Sequence, residues 1–343
     1  MATIKDVARH AGVAISTVSA VLNRSAPVSE DTIARVNAAI EATGYTPHGG
    51  AQSLRSGRSR LIGLVVPNIA NPHFAAVARV VENACLRAGY MSVVYSSGQD
   101  SARESQVLTM MRVQRVAGLI LVPTRSDAAH GAALRDQINV PAVLLDMQVE
   151  GLPYDVVKAD NVEAGKLATE HLLAHGHRRI GIIDGLPGLA TSDDRHKGYA
   201  DALRAAGLRP RADLAVPGNF DRDDSYRAAL ELLSREDRPT AIIAVSNMTT
   251  IGVMFAAREL ALDIPADLSL VGIDDFDLAL LLDPQPTVVA TPILDMANQS
   301  ITRLLELTER KRKSSGETLI YPPALIERES TRRMDPRACP SGG

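Results

Sequence analysis

The segment Thr3-Ile4-Lys5-Asp6-Val7-Ala8-Arg9-His10-Ala11-Gly12-Val13-Ala14-Ile15-Ser16-Thr17-Val18-Ser19-Ala20-Val21-Leu22-Asn23 carries two helical patterns separated by a single glycine. Thr3 suits an N-cap, and Ile4, Val7, Ala8 and Ala11 follow at helical spacing. Gly12 stops this helix and Val13-Ala14 make the turn. A second helix runs from Ile15 to Asn23 with Val18, Val21 and Leu22 on one face. Ser29 can cap a third, with Glu30 and Asp31 complementing the dipole of its first turn. That helix buries Ile33, Val36 and Ile40, and Gly44 followed by Pro47 ends it. Two short helices about a glycine turn, with a third to complete the core, suit a helix-turn-helix module. The outer face of the second helix shows Ser16, Thr17, Ser19, Ala20 and Asn23, short enough to lie against base edges or phosphates. A small helical bundle whose hydroxyls meet only water fits the same pattern.

Working outward, the 343 residues suggest two or three compact units. With 45% hydrophobic and 22% charged residues, the chain has an ordinary globular composition. No window of about 18 apolar residues argues for a membrane span. The N-terminus lacks the basic and apolar regions of a signal peptide. Two cysteines, Cys85 and Cys339, cannot form a disulfide framework, which favours a reducing cytoplasm. Residues 1–60 carry Lys5, Arg9, Arg24, Arg35, Arg55, Arg58 and Arg60 against Asp6, Glu30, Asp31 and Glu41, a balance of +3. The remaining residues balance to −6. A basic head on an acidic body points to a head that alone approaches a polyanion.

From Leu61 onward, apolar runs alternate with helical patterns. Strands are expected at Leu61–Val66, Ser92–Tyr95, Leu119–Val122, Val143–Leu145, Ile180–Ile183, Ala241–Val245 and Leu268–Ile273. Helices are expected from Pro72 to Ala88 and over 101–115, 162–175, 194–206, 222–234 and 249–261. Alternation of this kind implies parallel sheets covered by helices on both faces. One series ends near residue 160 and another begins, so two lobes are expected, and the helix after Pro292 returns to the first. Doubly wound lobes place a ligand cleft at the carboxyl ends of their strands.

Asp146, Arg195 and Asp274 each fall just after a strand or at a helix start, where they can form charge-assisted bonds to ligand hydroxyls. Phe220, after Gly218-Asn219, can stack on a ring. Each acid taken alone fits an N-cap or a surface ion pair equally well. His171, His175 and His177 read as solvent-facing histidines at a helix end, because a metal site needs a further ligand. Asp184-Gly185-Leu186-Pro187-Gly188 lacks a phosphate-loop pattern and reads as a cleft loop. Arg310-Lys311-Arg312-Lys313 reads as a solvated helix end, and Cys85 as core packing.

Thr3-Ile4-Lys5-Asp6-Val7-Ala8, Ala11-Gly12-Val13, Ser16-Thr17-Val18-Ser19 and Val21-Leu22-Asn23 closely resemble the headpiece of the LacI/GalR family of bacterial transcription regulators. Val28-Ser29, Gly44-Tyr45-Thr46-Pro47 and Ala51-Gln52-Ser53-Leu54-Arg55 continue the likeness in order. In the body it is carried by Ile62-Gly63-Leu64-Val65-Val66-Pro67, Asn71-Pro72-His73-Phe74, Pro141-Ala142-Val143-Leu144-Leu145-Asp146, His175-Gly176-His177-Arg178-Arg179-Ile180 and Val271-Gly272-Ile273-Asp274-Asp275. The likeness covers residues 3–330.

It implies an α/β protein with a three-helix helix-turn-helix headpiece (1–47) and a hinge helix or linker (48–60). A two-lobed periplasmic-binding-protein-like body of doubly wound parallel sheets follows (61–330). Lobe 1 takes about 61–160 and 291–330, lobe 2 about 161–290, and 331–343 form a disordered tail. DNA contacts are implied at Thr3, Ile4, Ile15, Ser16, Thr17, Ser19, Ala20, Asn23, Ser29, Thr32, Tyr45, Ala51 and Leu54. Of these, Ile15, Ser16 and Ala20 read bases, and Leu54 wedges into the minor groove. Effector contacts are implied at Asn71, Phe74, Asp146, Arg195, Phe220, Ser246, Asn247 and Asp274.

The sequence departs from the family at Ala14, which replaces a capping Ser or Thr, and at Ala20, which replaces a long polar side chain. Gly49-Gly50 raise the cost of ordering the linker. Ser246-Asn247 stand where many relatives have Asn-Asp, so the expected ligand bears fewer hydroxyls or some negative charge. The function implied is a cytoplasmic, homodimeric repressor of a palindromic double-stranded operator, governed by a sugar or related metabolite. No cofactor, metal, membrane or catalysis is expected. A solute-binding protein would explain the body alone, and an α/β enzyme lacks a recognisable nucleophile–base motif.

Overall fold

Gly12 lies in the left-handed region (φ 65°) and Gly44 does the same (φ 60°), so each ends the helix before it at a point a side chain would strain. A computed structural model describes residues 2–23, 26–45 and 59–334. It divides into two compact units between Ser59 and Arg60.

In the first unit, α1 (Ile4–Ala11), α2 (Ile15–Asn23) and α3 (Glu30–Thr43) enclose Val7, Ala8, Ala11, Val18, Val36 and Ala39. Asp6 accepts from both the backbone N–H and the hydroxyl of Thr3 at 2.9 and 2.7 Å, fixing the start of α1. The Arg35 guanidinium donates to the Ala11 carbonyl at 2.6 Å and ties α3 to the turn. Two expectations change. Ile33 is 37% exposed, because the buried stripe of α3 runs through Val36 and Ala39, with Ile40 half-buried beside it. The Ser29 hydroxyl meets that of Thr32 at 2.9 Å and makes no cap bond to the helix backbone.

The second unit begins at β1 (Leu61–Val66) and alternates strand with helix: α4 (Pro72–Arg87), β2 (Met91–Ser96), α5 (Ser101–Val113), β3 (Gly118–Leu121), α6 (Ala128–Gln137), β4 (Ala142–Leu145) and β5 (Asp155–Ala159). It continues with α7 (Asn161–Ala174), β6 (Ile180–Asp184), α8 (Ala190–Ala205), β7 (Ala215–Pro217), α9 (Arg222–Leu233), β8 (Ala241–Ala244), α10 (Asn247–Glu259) and β9 (Ser269–Ile273). β10 (Thr287–Ala290), α11 (Ile293–Thr308), β11 (Thr318–Tyr321) and β12 (Ala324–Ile326) complete it.

Among the described residues these strands form two six-stranded sheets, ordered β11-β5-β4-β3-β1-β2 and β12-β10-β9-β8-β6-β7. Every pairing is parallel except β10 with β12. The fully buried runs of β4 and β8, and of β1 from Ile62 onward, are what parallel strands covered on both faces require. Met296, Ala297, Ile301 and Leu304 of α11 pack with α4 against the first sheet.

The chain passes between the lobes after β5, after β10 and again between β11 and β12. This last passage differs from the expected assignment of 291–330 to lobe 1, since β12 pairs with β10 and Ser330 bonds to Leu270 and Thr287. The tail also starts later than expected: the Arg332 N–H donates to Ser269 Oγ, and the Met334 N–H to the His175 carbonyl.

That segment covers the three histidines, which are not solvent-facing. His171 lies 2.9 Å from the Thr331 hydroxyl, and buried His177 bridges Thr240 and the Arg332 carbonyl. Burial pushes the His177 imidazole down to about 4. Cys85 packs in the first lobe's core. Residues 335–343 and the expected linker through residue 58, with Ala51 and Leu54, lie outside the described residues.

Candidate functional site

The carboxyl ends of both sheets open on one cavity of about 500 Å³, where doubly wound sheets place ligands. Asp146 follows β4 and Asp274 follows β9, at φ 77° and 68°. Each N–H bonds to the neighbouring strand, Asp146 to the Val157 carbonyl (2.8 Å) and Asp274 to that of Val289 (2.9 Å). The same device therefore turns a carboxylate into the cavity from each lobe. Aspartate is among the few side chains that tolerate this backbone region, and its use twice at a cavity wall marks a site.

Arg195 projects from α8 and is 4% exposed. Its guanidinium donates to Asn161 Oδ1 (2.8 Å), to the Val245 carbonyl and to Asp274 Oδ2 (3.1 Å). α8 comes this close to α7 because both helices carry glycine at the crossing. A Cβ on Gly165 would lie 2.0 Å from the Arg195 carbonyl oxygen, and one on Gly198 2.0 Å from that of Val162.

Asp274 also accepts from Thr291 Oγ1 at 2.7 Å and faces His73 Nδ1 at 4.0 Å. Burial by itself would raise this carboxyl; Arg195, His73 and the Thr291 and Arg195 hydrogen bonds overcome it and hold it below the ordinary value. At Asp146, burial prevails over His73 and Arg195 and raises the carboxyl. The two acids are thus shifted in opposite directions, Asp274 favouring its anion and Asp146 holding its proton more tightly than an exposed aspartate.

Asn71 caps α4 by accepting the His73 N–H at 3.0 Å. Phe74 stands edge-on to His73, ring centres 5.1 Å apart. Phe220 and Asn219 are both at φ 56°, and the Phe220 ring occupies the space where a Cβ on Gly185 would sit, 2.1 Å from its Cζ. Ser246 caps α10, accepting the Thr249 N–H at 3.1 Å. The structure therefore gathers all eight expected effector residues, Asn71, Phe74, Asp146, Arg195, Phe220, Ser246, Asn247 and Asp274, around one cavity.

Sequence reasoning missed His73, Arg103, Thr124, Met147, Thr191 and Asp221 in that lining. His73 was within reach, one residue before Phe74 in the first turn of α4. Arg103 and Thr124 carry no local signal. The Asp184 loop contributes through Gly185 beneath Phe220 and through Leu189, and Asp184 itself pairs with His196 at 2.8 Å.

On the first unit, Ser16 is exposed on α2, and Thr17, Ser19 and Ala20 are half-buried beside it. Thr3 is exposed and Thr32 half-buried, while Ile4, Ile15 and Tyr45 pack partly against the core. Ser29 is exposed and Asn23 ends α2. Among the described residues no group of His, Cys, Asp and Glu could hold a metal ion, and no helix is long and apolar enough to cross a membrane.

Residues 3–48 match the model of bacterial regulatory proteins of the lacI family, and residues 169–331 that of the periplasmic binding protein-like domain. The HTH-type transcriptional repressor PurR of Photorhabdus laumondii is 34% identical over 331 residues, covering 96% of this chain and 97% of the relative. PurR of Yersinia enterocolitica is 34% identical over the same shares. The lac repressor dimer bound to operator and the anti-inducer ONPF superposes with a TM-score of 0.85 at 26% identity, over 96% of this chain and 99% of that one. The transcriptional regulator CelR in complex with cellobiose gives 0.71 at 28% identity, over 96% and 100%.

Proposed function

The chain belongs to the lacI family of bacterial regulatory proteins and is a DNA-binding transcriptional regulator, and we propose that it represses as a cytoplasmic homodimer on a palindromic operator under the control of a small polar effector, a sugar or related metabolite. One observation carries the effector reading. Eight residues, drawn from sequence motifs up to about 200 positions apart, line a single cavity with the buried Arg195–Asp274 pair at its wall. Charge-assisted donors and acceptors beside two aromatic rings suit a hydroxylated ring compound.

The head supplies the DNA contacts in this reading. Ile15, Ser16 and Ala20 face base edges, Thr17, Ser19, Asn23, Ser29 and Thr32 hold the backbone, Leu54 wedges into the minor groove, and Thr3, Ile4, Tyr45 and Ala51 add further contacts. Leu278, Leu280 and Leu281, exposed along one short turn, supply apolar surface of the kind a dimer buries. The reading assigns the cavity binding and no catalysis.

The test is an operator-binding titration with metabolites first found by their thermal-shift stabilisation of the parent protein. Phe220→Ala and Asp274→Asn should bind operator as the parent does and lose the effector response. Removing a partner of a charged hydrogen bond costs about 1.5–3 kcal/mol, or roughly 10- to 150-fold in affinity. If both variants respond at the parent's midpoint, the cavity is not the effector site.

A further inference from the structure

We propose that Asn247 is a positioning residue that joins the two lobes across the cleft, its amide bonding to Asn71 and setting how far the cleft closes before any ligand enters. Asn247 opens α10 on the second lobe and is 1% exposed. Its Nδ2 donates to Asn71 Oδ1, on the first lobe, at 2.8 Å. Its own Oδ1 accepts the Met248 N–H at 2.7 Å. The amide is thereby oriented from both ends: a flipped Asn247 would turn its NH₂ against the Met248 N–H and its oxygen against that of Asn71.

Asn71 is fixed in its turn. Its Oδ1 caps α4 through the His73 N–H, so it presents an acceptor, and the residue opposite must donate. An ionised carboxylate at 247 has no hydrogen to give. It would set oxygen against oxygen or force Asn71 to abandon its cap. An amide at 247 therefore answers the other lobe. Three further contacts link the lobes: the Ala190 N–H donates to Ser126 Oγ at 3.2 Å, Lys158 lies 3.8 Å from Asp194, and His73 Nδ1 faces Asp274 Oδ1 at 4.0 Å. None involves residue 247, so its substitution leaves the lobes connected.

Because the bond is directional, isosteric Asn→Asp changes at its two ends have opposite outcomes. Asn247→Asp removes the donor. Asn71→Asp keeps both an N-cap and an acceptor. The experiment measures the distance between spin labels on Ser101→Cys and Asp223→Cys by pulsed electron paramagnetic resonance, in a Cys339→Ser background. No ligand or DNA is present. Both labelled positions are exposed beside the cavity, on opposite lobes, and Cys85 is buried.

Asn247→Asp should move the distribution to longer distances, lowering the closed-to-open ratio roughly 3- to 10-fold, the usual weight of one hydrogen bond. Asn247→Ala, which adds no buried charge, should do the same, while Asn71→Asp should keep the parent distribution. An unchanged distribution in Asn247→Ala overturns the proposal. Equal opening in Asn71→Asp and Asn247→Asp does so too, since added charge would then be the cause.

Discussion

Asp146 and Asp274 share a backbone conformation and differ in proton affinity. Asp274 is held below the usual carboxylate range against the pull of its burial, by Arg195, His73 and the bonds it accepts, whereas Asp146 is raised by its burial. As pH falls, Asp146 therefore takes its proton first, above the pH at which an exposed aspartate would, and Asp274 keeps its charge longest. Asp146→Asn imitates the protonated acid. Calorimetric titration of the effector at falling pH should show the gap between parent and Asp146→Asn narrowing before the gap between parent and Asp274→Asn does. Narrowing in the reverse order would refute the assignment. Both acids were legible in the sequence because each ends an apolar run. What Asn247 does was not legible, because its partner lies 176 residues away.

Among elements, the crossing of α7 and α8 decides where Arg195 stands. Gly165→Ala places a methyl 2.0 Å from the Arg195 carbonyl oxygen, and no rotamer relieves a backbone clash. α8 must shift, carrying the guanidinium away from Asp274. Overpacking of this kind costs about 1–3 kcal/mol, so the melting temperature should fall. Effector affinity should drop roughly tenfold for each 1.4 kcal/mol of misalignment. Parent-like stability and affinity in Gly165→Ala would show that the crossing has slack.

Strands such as β1 and β8 could be read directly, since an unbroken apolar run has no other place than a buried sheet. β5 could not. It begins at Asp155, whose charge is answered by Arg303 at 2.9 Å from α11, and it includes Lys158. α6 was hidden by Gly131, which lets the helix approach the Glu150 carbonyl, and β10, β11 and β12 are four residues or shorter. The histidines near residue 175 looked solvated because the segment that covers them, residues 331–334, is distant in sequence and polar.

At the scale of the whole molecule, the head carries +3 and the rest of the chain −6, so binding to a polyanion belongs to the head. Counterion release then makes affinity fall steeply with salt. A homodimer reading two half-sites demands a pseudo-palindrome of about two helical turns. α2 has no basic residue in its last turn, and Ser16 stands exposed on it. The proposed base readers Ile15, Ser16 and Ala20 are therefore side chains without the fork of an Arg or Gln, so each direct contact is expected to contribute less than the ~1–3 kcal/mol of a bidentate pair. The measurement that meets this claim head-on is selection of full-length protein on a random duplex pool, with Ser16→Ala in parallel. The account predicts that the parent enriches a pseudo-palindrome, binds it less as salt rises, and that Ser16→Ala enriches different bases in the half-sites. A parent protein that enriches no sequence would contradict it.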